Sequence, residues 1–330
     1  MKVDVAIAGG GPAASAAAIT LRRHGLTCAI VERGDGGGAR VGESLAPSVK
    51  PLLVALGLDL ERDGHLPCYG HRSTWGSDVP VEMCFDVNPY GHGWHLDRAR
   101  FEQRLAELAD CPRFLNTRIV DVERDGAGWR CHSERSEEPP AAGGPSPSTR
   151  LGMTLVADFL IDATGRGAAF ARSLGAKVVR DDTLFAHVFF IDKAIDDTYT
   201  TIEAAEDGWW YRAPVPGGKT VAIFVSDARK YDARVVDASS FRLDRVTGDG
   251  WLAIGDAATA LDPLSSHGLG NALFTGMRAA EAIVTGDFAA YERAVGVMWN
   301  AYVSRRRELY AQERRWPSSP FWSKRYIAPA

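Results

Sequence analysis

Three short segments of this 330-residue chain carry residues that could do chemistry, and each follows an apolar run. The first is Gly9-Gly10-Gly11-Pro12-Ala13-Ala14, a G-x-G-x-x-A spacing set between the run 3–8 and an alanine-rich stretch reaching His24. Gly9 permits a tight turn, Gly11 lets a pyrophosphate approach the backbone at the positive end of a helix, and Ala14 lets helix and strand pack closely. Glu32, at the end of the run 26–31, can accept from both hydroxyls of an unphosphorylated adenosine ribose. That combination leaves FAD or NAD. The second segment is Asp162-Ala163-Thr164-Gly165-Arg166. The third is Gly255-Asp256, followed by Asp262-Pro263 and a glycine-rich helix start at Gly268-Leu269-Gly270-Asn271. A carboxylate at 256 can bind a polyol hydroxyl, and the amides opening the next helix can face the pyrimidine end of a flavin. FAD therefore fits better than NAD.

These segments need elements to hold them. Residues 3–8, 12–24 and 26–31 read as a β-α-β unit, with further buried strands at 159–161, 221–225 and 251–254. Helical periodicity appears over 98–109, 271–284 and 291–314. Residues 133–150 contain no aromatic residue and no aliphatic one larger than alanine, so they predict a polar surface loop interrupting a hairpin between 128–131 and 151–155.

Charge and cysteine content exclude several classes. With 38 basic and 42 acidic side chains the net charge is 38 − 42 = −4, which gives no reason to expect a nucleic-acid partner. Five cysteines without a C-x-x-C pair argue against a disulfide framework or a zinc knuckle, and a cytoplasmic protein with no metal is expected. No stretch approaches the ~18 uninterrupted apolar residues of a membrane span.

GGGPAA, DATGR and GDAATALDPLSSHGL resemble the three FAD signatures of flavoprotein monooxygenases with the p-hydroxybenzoate hydroxylase fold. VGESLAP (41–47), WHLDRARF (94–101), GWWYRAP (208–214) and RRWP (314–317) are similar to the branch holding flavin-dependent halogenases and the monooxygenases that hydroxylate a protein-bound tryptophan during tryptophylquinone maturation. The fold this resemblance implies is α/β. A Rossmann-like FAD-binding domain (1–65, 92–175 and 245–290) receives an inserted mixed β-sheet substrate domain (66–91 and 176–244), and a C-terminal helix and aromatic, basic tail follow (291–330).

The resemblance also implies site residues. Gly9, Gly11, Pro12, Ala13 and Ala14 would hold the pyrophosphate, and Glu32 with Arg33 the adenosine ribose. Arg40, Glu43 and Ser44 would lie along the flavin, and Arg98 would reach its phosphate or ribityl chain. Asp162, Gly165, Gly255 and Asp256 would complete the ribityl–pyrophosphate region, with Pro263, Gly268 and Leu269 covering the ring edge. Trp75, Trp209 and Tyr211 are expected to face substrate.

Two halogenase features are missing. There is no lysine between Lys50 and Lys177, and Ser265 stands where halogenases carry a carboxylate. The expected reaction is therefore hydroxylation of an indole- or phenol-like substrate, small or bound to a peptide or carrier, through a flavin C4a-hydroperoxide. Halogenation, or reduction of an apolar substrate, is the alternative. His267, Ser265 and Ser266 are the expected catalytic groups, His267 as general acid or base. No second G-x-G-x-x-G follows a strand, so NAD(P)H acting transiently or a separate flavin reductase would supply electrons.

Overall fold

A computed structural model describes residues 1–37, 41–135, 152–193, 195 and 197–326. Its central sheet has eight strands. Lys2–Ala8 lies between Cys28–Val31 and Gly152–Asp162, and Trp251–Ala253 and Arg113–Phe114 extend the sheet on either side, all parallel. Parallel strands must be covered on both faces, which explains their nearly uninterrupted apolar sequences. The helix Pro12–Arg23 is alanine-rich for a related reason. It is clamped against Gly268–Thr285, where a side chain at Gly276 would meet the Ala13 carbonyl at 2.3 Å.

The hairpin Gly128–Arg135 with Gly152–Asp162 forms as expected, in a register pairing Glu134 with Gly152. Ser133, Glu134 and Arg135 belong to the strand, so the polar segment expected from 133 starts later. Its remainder lies outside the described residues, as does Arg40. Arg98–Ala109 is helical over the expected span, because the Asp97 side chain accepts from Arg100 N and Asp110 turns left-handed at φ 41°.

A second, seven-stranded mixed sheet runs from Arg234–Asp237 through Phe185–Ile191, Lys219–Ser226, Gly208–Val215 and Tyr199–Ala205 to Gly70–Thr74 and Val81–Cys84. Only Tyr199–Ala205 with Gly70–Thr74 is parallel. The long helix Phe288–Gln312 leads to Pro320–Tyr326. Tail aromatics pack inward: Trp322 is fully buried and donates from Nε1 to Ala205 O at 2.9 Å, while Phe321 and Tyr310 are 3% exposed. Tail arginines are largely neutralised, Arg325 by Asp227 and Arg315 by the buried Glu313. Removing residues 316–330 should leave the chain insoluble, since losing a buried Trp and Phe is worth on the order of 5 kcal/mol or more. A soluble truncated protein with unchanged thermal melting would contradict that. No helix of the described residues is long and apolar enough to cross a membrane.

Candidate functional site

The ends of Lys2–Ala8, Cys28–Val31 and Gly152–Asp162 open into a cleft of about 760 Å³ lined by Gly9, Gly11, Glu32, Arg33, Thr164 and Gly165. Gly9 has φ 105°, and a Cβ there would lie 2.1 Å from the Ala163 carbonyl oxygen, so the turn presses directly on the second segment. Pro12 starts the helix at a position whose N–H would be unpaired anyway. Glu32 is fixed by accepting from Gly10 N at 2.6 Å and Gly34 N at 2.7 Å. Arg113 donates to Gly10 O and Ser15 Oγ, bracing the turn from the other side.

Asp162, expected at the cofactor, has a different setting. One oxygen accepts from Thr164 N and Oγ1, the other from Phe170 N and Ala171 N. Both oxygens are engaged by the chain itself, and the residue is 1% exposed. It shapes the turn that presents Gly165. Gly255 is likewise structural in its contacts, with φ 56° and its N–H donating to Thr275 Oγ1 at 2.9 Å.

Beside this cleft lies a largely apolar cavity of about 360 Å³. Glu43, Ser44, Asp256, Pro263, Gly268 and Leu269 line one part of it, and Ala186, Trp209, Tyr211, Ile223, Val236 and Ala238 the facing sheet. The Asp256 side chain is 38% accessible at the bottom of this concavity, where enclosure raises its pKa and Arg166 and Arg98 oppose the rise. Arg166 lies 3.6 Å from Asp256 and donates to Ser239 O and Leu261 O. Burial also raises the pKa of Glu43, against the pull of Arg98. Arg98 donates to the carbonyls of Val41 and Gly42 and to Glu102.

Two buried polar atoms here have no partner, Glu43 Oε1 and Arg98 Nε. Leaving such atoms unsatisfied is unfavourable in a finished protein, and a polar cofactor is the natural partner. The glycine cradle at 9–11, the ribose-type carboxylate Glu32 and these open positions beside Asp256 together fit FAD.

The structure divides the expected catalytic trio. Ser266, held left-handed at φ 51°, lines the apolar cavity, but Ser265 and His267 do not. Ser265 Oγ turns back to Asp262 O at 2.9 Å, and the exposed His267 ring folds onto the Ser265 carbonyl. The left-handed residue between them reverses the chain, which sequence spacing does not reveal. His267→Ala is accordingly expected to change turnover by about twofold or less, the factor that roughly 0.5 kcal/mol represents. A loss of most product in that variant, with FAD retained, would restore His267 to the mechanism.

Trp209 and Tyr211 line the cavity, whereas Trp75 sits one layer behind, its ring 6.5 Å from that of Trp209. Sequence reasoning did not find Thr200, and it held His95 only as part of the segment 94–101. Ser44 Oγ lies 2.5 Å from Tyr211 OH and 3.1 Å from Thr200 Oγ1, which is 3.0 Å from His95 Nε2. His95 is fully buried, and burial pushes its pKa down to about 4. Three distant segments meet there, so no local pattern marks their meeting. Among the described residues no group of three or more His, Cys, Asp or Glu is placed to hold a metal.

This fold and site define an FAD-dependent oxidoreductase. The tryptophan halogenase family model matches residues 4–63. An FAD-dependent oxidoreductase, LodB, of Marinomonas mediterranea is 27% identical across 99% of this chain and 98% of its own length. A 1H-pyrrole-2-carbonyl-[peptidyl-carrier protein] brominase of Pseudoalteromonas luteoviolacea is 24% identical over 85% of this chain and 77% of its own. Among solved structures, the flavin-dependent halogenase CmlS superposes with TM-score 0.82 at 25% identity, covering all of this chain and 68% of CmlS. The peptidyl tryptophan dihydroxylase QhpG shares the fold, with TM-score 0.76 at 22% identity, covering all of this chain and 80% of QhpG. The chain thus has the fold common to flavin-dependent halogenases and the tryptophylquinone-maturation monooxygenase.

Proposed function

We propose that the chain is a monooxygenase that hydroxylates an electron-rich aromatic ring, indole- or phenol-like, carried on a small molecule, a peptide or a carrier protein. The observation that carries this reading is the cavity wall. Among the described residues it contains no lysine, and although Glu43, Asp237, Asp256 and Asp262 line it, the segment 263–269 itself contributes Ser266 and no carboxylate. A halogenase of the tryptophan type needs both a lysine and a carboxylate there. The carrier-bound pyrrole named for the brominase relative supports a substrate presented by a larger partner.

When bound, FAD supplies the oxygen-activating chemistry. Gly9, Gly11, Glu32 and Arg33 would hold its adenosine and pyrophosphate end. Glu43, Ser44, Arg98, Asp256, Pro263, Gly268 and Leu269 would hold the rest. Trp209, Ile223, Ala186 and Val236 exclude water from the face where the ring would sit, and Tyr211 and Ser44 offer hydroxyls to orient it. Reducing equivalents would come from NAD(P)H or a partner flavin reductase. The domain division given above, with the mixed sheet as substrate domain, is part of the same proposal.

The test is product mass. Protein loaded with chemically reduced FAD is mixed with oxygen, bromide and an indole-containing peptide. A product one oxygen atom heavier, unaffected by removing bromide, is expected. A brominated product would overturn the reading in favour of a halogenase.

A further inference from the structure

Behind the cavity stands a row of indoles. Trp209 forms part of the cavity wall and is fully buried. The ring of Trp75 is 6.5 Å from it, that of Trp322 is 5.3 Å beyond Trp75, and that of Trp316, half-buried at the surface, is 6.2 Å beyond Trp322. Tyr310 flanks the row, 5.9 Å from Trp75 and 6.0 Å from Trp322. Four of the nine tryptophans of the chain thus form one series of neighbouring rings that starts at the cavity wall, Trp209 and Trp322 fully buried and Trp75 and Trp316 half-buried. Packing alone would be met by any large apolar rings. Indoles, unlike phenylalanine, can also be oxidised reversibly.

We propose that Trp209, Trp75, Trp322 and Trp316 form a one-electron path along which the oxidising equivalent of an oxygen radical, left in the cavity by uncoupled reduction of oxygen, is carried away and quenched at the surface by a soluble thiol. The inference rests on FAD occupying the cavity. Electron transfer falls steeply with the gap between donor and acceptor, so several steps between rings in contact outpace one jump from cavity to surface.

The hydrogen bonds suit such a path. Nε1 of Trp209 donates to the Tyr310 hydroxyl at 3.0 Å, that of Trp75 to Leu309 O at 2.8 Å, and that of Trp322 to Ala205 O at 2.9 Å. The peptide carbonyls at Trp75 and Trp322 do not take a proton, so these two indoles keep their N–H on losing an electron and are restored when the next ring supplies one. Tyr310 differs, because its hydroxyl donates to the buried Asp262 carboxylate at 2.7 Å, a partner able to take the proton of an oxidised phenol. It serves as a side station. Arg315 lies 4.4 Å over Trp316, but its charge is met by Glu313 and Asp78.

The balance is simple. A hydroxyl-type oxygen radical takes one electron from Trp209 and becomes hydroxide, and Trp209 receives one electron from Trp75, which is refilled from Trp322 and then Trp316. A thiol at the surface gives Trp316 an electron and releases its proton to water. Two passages deliver two electrons inward and join two thiyl radicals as a disulfide.

Blue light provides a controlled oxidant, since excited oxidised FAD accepts an electron from a neighbouring indole. FAD-loaded protein is illuminated without oxygen in the presence of dithiothreitol, and loss of the oxidised flavin absorbance is followed, with electron paramagnetic resonance for tryptophan radicals. Trp75→Phe and Trp322→Phe keep large rings in place and should each slow photoreduction at least tenfold with unchanged FAD affinity. Trp299→Phe, buried away from the row, should leave the rate alone. Wild-type rates in either row variant, or FAD-loaded wild type that does not photoreduce, would overturn the path while leaving the FAD reading intact. Failure of the wild type to take up FAD would overturn both.

Discussion

Asp162→Ala is expected to prevent the chain from accumulating as a folded protein. The substitution removes the acceptor for Phe170 N and Ala171 N, both buried, and for Thr164 N and Oγ1 in the turn. An unsatisfied buried donor costs about 1–3 kcal/mol, so the two buried amides alone amount to roughly 2–6 kcal/mol. Total stabilities of about 5–15 kcal/mol leave little after that loss. The same turn presses on Gly9, so damage should spread to the start of the first helix. Asp162→Asn retains one acceptor oxygen but points an amino group at existing donors, and it should fall between. Soluble yield and urea unfolding of the three proteins check the order. An alanine variant melting within a few degrees of wild type would show that water or a shifted loop can replace the carboxylate.

Gly9→Ala should lower FAD affinity by a hundredfold or more, which corresponds to about 2.8 kcal/mol. Two penalties coincide at this residue. Its φ of 105° is one that side chains rarely adopt, and its Cβ would lie 2.1 Å from a carbonyl oxygen of the neighbouring strand end. Neither atom is the tip of a flexible side chain, so the turn and the 162–167 segment must separate, and both line the cleft. Gly25→Ala supplies the comparison. Gly25 also has positive φ, 81°, but nothing lies within 4 Å of its Cβ position. It carries the conformational penalty alone, about 1 kcal/mol of stability, and should bind FAD normally. Titration of each protein with FAD, followed by quenching of flavin fluorescence, distinguishes them. Equal affinities for the two variants would mean that the close approach at Gly9 does not shape the site.

The parts of the molecule legible in the sequence are those whose physics is local. The turn at Gly9, the carboxylate closing the second strand and the helical periodicity beginning at Arg98 each need only a few neighbouring residues to specify them. The tail is set by its own helix: the long helix ends at Gln312, before Pro317, and Pro320 opens the next one, which carries the buried Phe321 and Trp322. What escaped was geometry made at a distance. Asp162 looks like a ligand at a strand end until its four donors are seen. Ser265 and His267 look like a pair aimed at the flavin until Ser266 turns left-handed between them. Thr200 carries no mark in its own segment, and the motif 94–101 does not reveal what His95 meets, since their setting exists only where Ser44, Tyr211 and Gly93–His95 converge.

The seating of Gly276 against Ala13 has a consequence for how the protein is made. The β-α-β unit leaves the ribosome before the segments that cover it: its central strand waits for the strand Gly152–Asp162, and its alanine-covered helix waits for Gly268–Thr285. At typical elongation rates that partner emerges on the order of tens of seconds later. For all that time the nascent chain shows a bare helix face and an unpaired parallel strand, two features that invite association with other chains. Slow translation would therefore lengthen the exposure of that helix face rather than relieve it.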